Sequence, residues 1–162
     1  MRWRLIDKID ELKIDDSAVG RKTYDPESEF FIDHFPGFPV VPGVLILESL
    51  AQLSGKLIGY SVRKSRGDWP FPILSMMDKV KFRKFVRPGQ EIRLETKLTS
   101  LRDEMAAVKV RARVDGKLHA QAEQIFVFNA VPLDDPEEAA RVERIERSEL
   151  HRLWDACPRD ES

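Results

Sequence analysis

The feature that most constrains the fold is an apolar stretch at residues 44–62, which reads VLILESLAQLSGKLIGYSV. It follows Pro42 and Gly43, and proline suits the first position of a helix, where its missing N–H costs no hydrogen bond. The stretch is apolar almost all round from residue 44 to residue 53, so the predicted helix must be covered on several sides. Because Glu48, Gln52 and Lys56 interrupt it, we predict a central helix of a globular domain and not a membrane span.

After this helix the hydrophobic period changes to two, which is typical of β-strands. The dipeptide Asp115-Gly116 is a strong signal for a two-residue hairpin turn. The predicted strands cover residues 3–14, 18–24, 73–77, 79–86, 92–98, 108–114 and 117–129, and a short helical turn is expected at residues 26–31. We therefore predict an α+β fold, in which a long central helix is followed by an antiparallel meander and wrapped by a curved sheet.

The charges of the chain are almost balanced, with 27 lysines and arginines against 28 acidic residues and a formal net charge of -1. This balance argues against a nucleic-acid-binding protein, which usually carries a basic excess. The single cysteine, Cys157, excludes an intrachain disulfide and favours a reducing compartment. Residues 1–4 are followed by charge and not by an apolar run, so we expect no secretion signal and predict a cytoplasmic location.

The composition changes near residue 130, and we predict one domain at residues 1–130 that folds without the remainder. Residues 131–162 are rich in charge, and Asp135 is a candidate N-cap for a helix with acidic residues in its first turn. A thin apolar stripe follows at Val142, Ile145, Leu150 and Leu153. We predict that this segment is a charged helical extension.

His34 and Glu48 are the strongest candidates for chemistry. The segment that joins them reads HFPGFPVVPGVLILE, so the histidine lies in a loop stiffened by three prolines and the acid lies among aliphatic residues. A neutral imidazole can accept a proton, and a carboxyl group in apolar surroundings can donate one. Taken singly, each residue has a simpler interpretation, as a solvated loop histidine and as a surface glutamate of an amphipathic helix.

The longer segment HFPGFPVVPGVLILESLAQ, from His34 to Gln52, resembles the active-site signature of the FabZ/FabA dehydratases, which act on 3-hydroxyacyl chains carried on acyl carrier protein. A weaker similarity continues through MDKVKFRKFVRPGQEI at residues 77–92 and through the VDGK hairpin at residues 114–117. Together these cover about residues 3–129. The resemblance implies a hotdog fold, and Glu48 resembles the branch that dehydrates without moving the double bond, where the other branch usually has aspartate.

The resemblance implies that His34 removes the Cα proton of a (3R)-3-hydroxyacyl thioester, with its ring oriented by the Val40 carbonyl. Glu48, in its protonated form, would donate to the departing hydroxyl. Gln52 lies one helical turn further on, so it could hydrogen-bond Glu48 or the departing water, or be an amide at the edge of the core. Gly43 could offer its N–H to the thioester oxygen at the positive end of the helix dipole, or be a simple loop glycine.

The resemblance also implies partners. Each site would take its histidine from one subunit and its acid from the other, which predicts a homodimer or a trimer of dimers. The substrate would arrive on acyl carrier protein, and no cofactor beyond that carrier would be needed. Carrier proteins are acidic, so a basic cluster is a candidate docking surface, although such clusters are usually only solvated strand faces. This basic cluster consists of Lys79, Lys81, Arg83, Lys84 and Arg87.

Several alternatives remain open at this point. Met76, Met77, Phe82 and Phe85 could line an acyl tunnel, but for most of them we favour an ordinary core position. The same fold could serve a hydratase or thioesterase acting on CoA esters, although the proline-rich His34 loop favours a dehydratase. It could also serve a non-catalytic acyl-binding protein, although both His34 and Glu48 are present. No Cys/His spacing typical of a metal site is found in the sequence.

Overall fold

The computed structural model describes residues 2–130 and 132–159. Its elements are β1 (Lys8–Lys13), β2 (Ser17–Thr23), a 3-10 turn (Glu29–Phe31), α1 (Gly43–Arg66), β3 (Ile73–Phe82), β4 (Glu91–Leu101), β5 (Met105–Val114), β6 (Lys117–Val127) and α2 (Pro136–Leu153). The predicted α+β class is confirmed, although β1 is shorter than expected and β3 is one strand where two were predicted. Within the described ranges, neither helix has the length and apolarity needed to cross a bilayer.

The helix α1 lies at the centre of the molecule, as predicted. It begins at Gly43 and its 24 residues span about 36 Å. It ends at Arg66, and the next residue, Gly67, has a φ of 85° in the left-handed region and donates its N–H to the Arg63 carbonyl. Glycine ends a helix in this way because it has no Cβ to clash. Leu50 and Leu57 are fully buried, as are other side chains around the helix, so several surfaces must cover it.

The sheet is antiparallel, with strand order β1-β2-β4-β5-β6-β3. The predicted hairpin between β5 and β6 turns at Asp115 and Gly116, whose φ values of 50° and 78° suit a type I′ turn. The prediction of a simple meander is wrong for β3, which pairs with β6 at the far edge of the sheet. No two-residue turn joins β3 to β4. Instead residues 83–90 cross between them, and the Val41 N–H donates to the Val86 carbonyl on the way.

The core lies between α1 and one face of the sheet. In β4 the residues of this face are buried alternately with exposed or half-buried ones, as the period-two pattern predicts. The buried hydroxyls of Ser54 on α1 and Thr96 on β4 are 2.7 Å apart and hydrogen-bond each other. Polar groups inside this core are thus paired where helix and sheet meet.

The helix α2 packs against the same core. Asp135 caps it by accepting a hydrogen bond from the Glu137 N–H at 3.0 Å. Leu150, Leu153, Trp154 and Cys157 belong to the hydrophobic core cluster, whereas Ile145 is 48 % exposed. The rings of Trp154 and Tyr60 meet edge to face at 5.5 Å. Whether residues 1–130 fold without this segment stays a prediction.

We expect deletion of residues 131–162 to leave the sheet and α1 folded but to lower the midpoint of thermal unfolding. The strand pairs do not involve the deleted segment, but Leu150, Leu153 and Trp154 would no longer cover α1. Far-UV circular dichroism and thermal melts measure the two effects. A truncated chain that fails to fold would make the tail part of the domain.

Two point variants test the same packing in the full chain. Leu150→Ala should lower the free energy of unfolding by about 2–5 kcal/mol, because it removes a buried aliphatic side chain. Ser148→Ala, at an exposed position of the same helix, should change it by less than about 0.5 kcal/mol. Equal stability of the two variants would contradict the packing described.

Candidate active site

The loop that carries His34 is held by its own backbone and by an arginine. The Val40 N–H donates to the His34 carbonyl at 3.0 Å, and Phe35 and Phe38 exchange backbone hydrogen bonds at 3.1 and 3.0 Å. Arg87 Nε donates to the Pro39 carbonyl at 2.7 Å, and its guanidinium lies over the Phe38 ring. The loop therefore presents its histidine from a fixed backbone.

The His34 ring is oriented by a carbonyl of the same loop. Its Nδ1 lies 3.2 Å from the Val40 carbonyl oxygen, and the ring stacks on Phe35 with centroids 4.1 Å apart. A carbonyl oxygen can only accept, so this hydrogen bond requires the proton on Nδ1. The neutral ring then has its lone pair on Nε2, where it can accept a proton from a substrate.

The start of α1 is closely packed at Gly43. A Cβ at this position would lie 2.5 Å from an atom of the Phe82 ring, so a side chain here would require that exposed ring to move. The first backbone N–H groups of a helix have no partner within it, and the helix dipole favours negative charge beside them. The role of the Gly43 N–H toward a thioester oxygen stays a prediction. The nearby Phe82 ring is a separate, steric reason for glycine at this position.

Glu48 is half-buried, and two donors meet one of its oxygens. Gln52 Nε2 donates to Glu48 Oε1 at 3.1 Å, and Trp3 Nε1 donates to the same oxygen at 2.9 Å. Gln52 Oε1 accepts from the Leu5 N–H at 2.9 Å, which fixes the orientation of the amide. The structure thus brings Gln52 to Glu48, as expected from their spacing. The sequence did not predict the hydrogen bond from Trp3 to Glu48, because no local pattern links residues that are 45 positions apart.

Two further residues fix the backbone of α1 beside Glu48. The Tyr24 hydroxyl donates to the Leu45 carbonyl at 3.0 Å and lies 2.6 Å from Ser49 Oγ. Burial raises the pKa of Tyr24 to about 12, although its hydrogen bond with Ser49 acts in the opposite direction, so the phenol stays protonated and keeps donating. Buried Gln124 donates from Nε2 to the carbonyl of residue 47 at 3.1 Å. Sequence reasoning missed both residues.

An open cavity of about 730 Å³ begins at Glu48. Gln52 and Trp3 also line it, together with residues of α1, α2, the start of β3 and the N-terminal segment. His34 of the same chain is not among the described residues that line it. Within one chain, therefore, Glu48 lines the cavity and His34 lies outside it.

The five side chains of the basic cluster differ in exposure and in their contacts. Arg87 is half-buried and bound to the His34 loop, so its guanidinium braces that loop. Arg83 Nε donates to Gln121 Oε1 at 3.3 Å, and Lys79 lies 3.7 Å from Glu123. Lys81, Arg83 and Lys84 are exposed on or just after β3. The candidate docking surface is therefore smaller than the sequence suggested, and docking itself stays a prediction.

The core assignment favoured for the apolar residues of this region is wrong. Met76 and Met77 are 53 % and 40 % exposed, and Phe82 and Phe85 are 54 % and 68 % exposed. Met76, Met77 and Phe82 lie on β3, which is at the edge of the sheet and has only one neighbouring strand, and Phe85 lies just beyond the end of β3. Among residues 2–130 and 132–159, no group of three or more His, Cys, Asp or Glu side chains could hold a metal ion.

The chain was compared with known proteins. The family model described as a FabA-like domain matches residues 1–123. The 3-hydroxyacyl-[acyl-carrier-protein] dehydratase FabZ of Lactobacillus helveticus is 43% identical over 122 residues, which cover 75% of this chain and 80% of that protein. The FabZ of Thermomicrobium roseum is 39% identical over 141 residues, 86% of this chain and 88% of that protein. This chain belongs to the FabA-like family, which confirms the resemblance of the segment from His34 to Gln52.

Solved structures agree on the fold. The dehydratase heterocomplex ApeI:P of Xenorhabdus doucetiae gives a TM-score of 0.65 at 12% identity, and covers 87% of this chain and 90% of that chain. A hypothetical thioesterase with coenzyme A from Streptococcus pneumoniae gives 0.58 at 10% identity, with 75% and 87% covered. Identities this low establish only the fold, which is the predicted hotdog fold.

The contact between Trp3 and Glu48 can be tested by NMR without any substrate. Because the indole N–H donates to the carboxylate, the Trp3 indole resonance should shift as acid protonates Glu48. In Glu48→Gln, which keeps an acceptor oxygen but does not titrate, the same resonance should stay constant with pH. The Trp154 indole, which packs against Tyr60, serves as the internal control. A Trp3 resonance that shifts equally in both proteins would contradict the contact.

Proposed function

We propose that this chain is a dehydratase that eliminates water from (3R)-3-hydroxyacyl thioesters on acyl carrier protein and yields trans-2-enoyl thioesters. The observation that carries the proposal is the His34 geometry within a FabA-like chain. The Val40 carbonyl, 3.2 Å from Nδ1, leaves Nε2 as the basic nitrogen, and Glu48 follows at the family spacing. The curated relatives are named as dehydratases of such carrier-bound substrates. Fatty-acid or related acyl-chain biosynthesis is the corresponding process.

In the proposed reaction His34 Nε2 takes a proton from the carbon next to the thioester carbonyl. The electron pair of that C–H bond forms the new double bond to the hydroxyl-bearing carbon, and the bond from that carbon to oxygen breaks. Glu48 gives its proton to the hydroxyl, which leaves as water, and Gln52 orients the carboxyl group. The Gly43 N–H would stabilise charge on the thioester oxygen. Return of the proton from His34 to Glu48 restores the starting state.

A second copy of the chain completes the proposed site. The cavity that begins at Glu48 is lined without His34 of the same chain. The edge strand β3 exposes Met76, Phe82 and other apolar side chains, and uncovered edges of this kind favour pairing with another chain. We therefore propose a symmetric homodimer, or a trimer of dimers, in which His34 of one subunit faces Glu48 of the other.

Carrier docking and location complete the proposal. Acyl carrier protein is acidic, so the exposed cations Lys81, Arg83 and Lys84 are the proposed docking surface, where complementary charge would speed encounter. Arg87 acts indirectly by bracing the His34 loop. The single cysteine, Cys157, agrees with a reducing compartment, and we propose the cytoplasm.

The function is tested by assaying dehydration with His34→Ala and Glu48→Ala. Each should lower kcat by about 100-fold or more, the range expected for loss of a general base or acid, with no change in the circular dichroism spectrum. His151→Ala and Glu27→Ala are the matched controls, because neither side chain lies in the His34 loop or lines the cavity at Glu48. NMR of the product should find the trans-2-enoyl thioester almost exclusively. Wild-type turnover by either folded variant would remove that residue from the mechanism.

Shared sites are tested by mixing the two inactive variants under conditions that allow subunit exchange. Random pairing should restore about one quarter of the wild-type activity per total site, because half of the sites have an intact His34 and half of those face an intact Glu48. Mass spectrometry of differently labelled subunits verifies the exchange. No recovery despite exchange would mean that one chain supplies both groups.

A further inference from the structure

The cavity at Glu48 extends well beyond the reacting groups. Its volume of about 730 Å³ lies within the usual range for small-molecule pockets, about 300–1,000 Å³. Its floor is apolar and buried, formed by Ile6, Ala51, Trp69, Phe126 and Leu153. The reacting atoms need only the part of this space beside Glu48, so the remainder is suited to hold another part of the substrate.

One wall of the cavity comes from α2. Val142, Ile145 and Leu153 line it, opposite residues of α1 and the start of β3. The match to the FabA-like domain ends at residue 123, before α2 begins at Pro136. The wall is therefore built by a segment outside the matched family domain. Ile145 is 48 % exposed, and α2 leaves it uncovered on the side of the cavity.

Ion pairs hold this wall in place and neutralise its charges. Lys56 Nζ lies 2.6 Å from Glu146, and Arg4 lies 2.8 Å from Glu149. Arg152 also pairs with Glu149, at 2.8 Å. All five side chains line the cavity, so three of the four cations among its described lining residues pair with carboxylates, and Arg2 is the fourth. Such a lining, together with the apolar floor, suits an uncharged alkyl chain better than a phosphate or a carboxylate.

We propose that the cavity takes the acyl chain of the substrate and that α2, through Val142 and Ile145, determines which chain lengths are accepted. This inference rests on the proposed dehydratase function and adds a specificity determinant supplied by the C-terminal extension. The cavity is continuous with Glu48, so a chain attached to the hydroxyl-bearing carbon enters it directly.

Distances along α1 give the chain length at which α2 should matter. Lys56, to which α2 is anchored, follows Glu48 by eight residues, or about 12 Å along the helix. An extended backbone advances about 3.6 Å over three bonds, so an extended alkyl chain advances about 1.2 Å per bond. A twelve-carbon substrate has nine bonds beyond its hydroxyl-bearing carbon and spans about 11 Å. A four-carbon substrate has only one such bond and stays far from α2.

The test compares 3-hydroxybutyryl and 3-hydroxydodecanoyl carrier protein. Ile145→Trp should lower kcat/KM for the twelve-carbon substrate by about tenfold or more and leave the four-carbon value within about twofold, because the larger ring fills space that only the long chain uses. Ile145→Gln, of similar size but polar, should act in the same direction if Ile145→Trp does not fold. Ser148→Trp, at an exposed α2 position outside the cavity, should leave both values within about twofold.

Binding of inert analogues separates this inference from the proposed function. In these pantetheine analogues an amide nitrogen replaces the thioester sulfur, and calorimetry gives their affinity. The wild-type protein could bind the twelve-carbon analogue more tightly, lose this preference in Ile145→Trp, and yet show no dehydratase activity. That result would support acyl-chain binding in the cavity and reject the proposed dehydratase function. Normal dehydration with unchanged chain-length preference in both Ile145 variants would overturn the role of α2. Equal losses of kcat/KM for both chain lengths would also overturn it, because they would mean that protein, and not the acyl chain, occupies the cavity.

Discussion

Burial of α1 on most of its sides is the constraint on which the rest of the structure depends. Leu50, Leu53 and Leu57 are fully buried, and each contributes about 1.5–3 kcal/mol when removed from water. A flat layer can cover only one side of a helix, so the sheet curves around it and other segments must cover the remainder. The His34 loop crosses near one end of the helix, and α2 packs along the other. The cavity at Glu48 lies between α1 and α2, and His34 of the same chain does not line it.

The few polar groups on such a helix can persist only where they find partners. Ser54 bonds Thr96 inside the core, whereas Glu48 and Gln52 bond Trp3 and Leu5 at the margin of the cavity. An unpaired buried polar group would cost about 1–3 kcal/mol. The same requirement that satisfies the polar groups therefore also positions the acid of the site.

Local signals were enough to predict α1, the hairpin at Asp115 and the pairing of Gln52 with Glu48, because each depends on residues a few positions apart. The His34 loop and its chemistry came from a resemblance that the comparisons confirm at the level of the family. Long-range features were not predictable in this way. The place of β3 at the sheet edge and the contact of Trp3 with Glu48 join distant segments. Arg87 was expected to be a surface charge, because sequence gives the charge of a side chain but not its direction.

The position of Trp3 has a practical consequence for handling this protein. The indole that meets the Glu48 carboxylate belongs to Trp3, on the segment that leads into β1, so a change to that segment acts on the acid directly. A purification tag fused beside Trp3 would compete for the space that the indole and the Leu5 backbone occupy. Preparations that differ only in such a tag would then differ in activity. Comparing enzymes with and without the tag is thus a necessary step before their rates are interpreted.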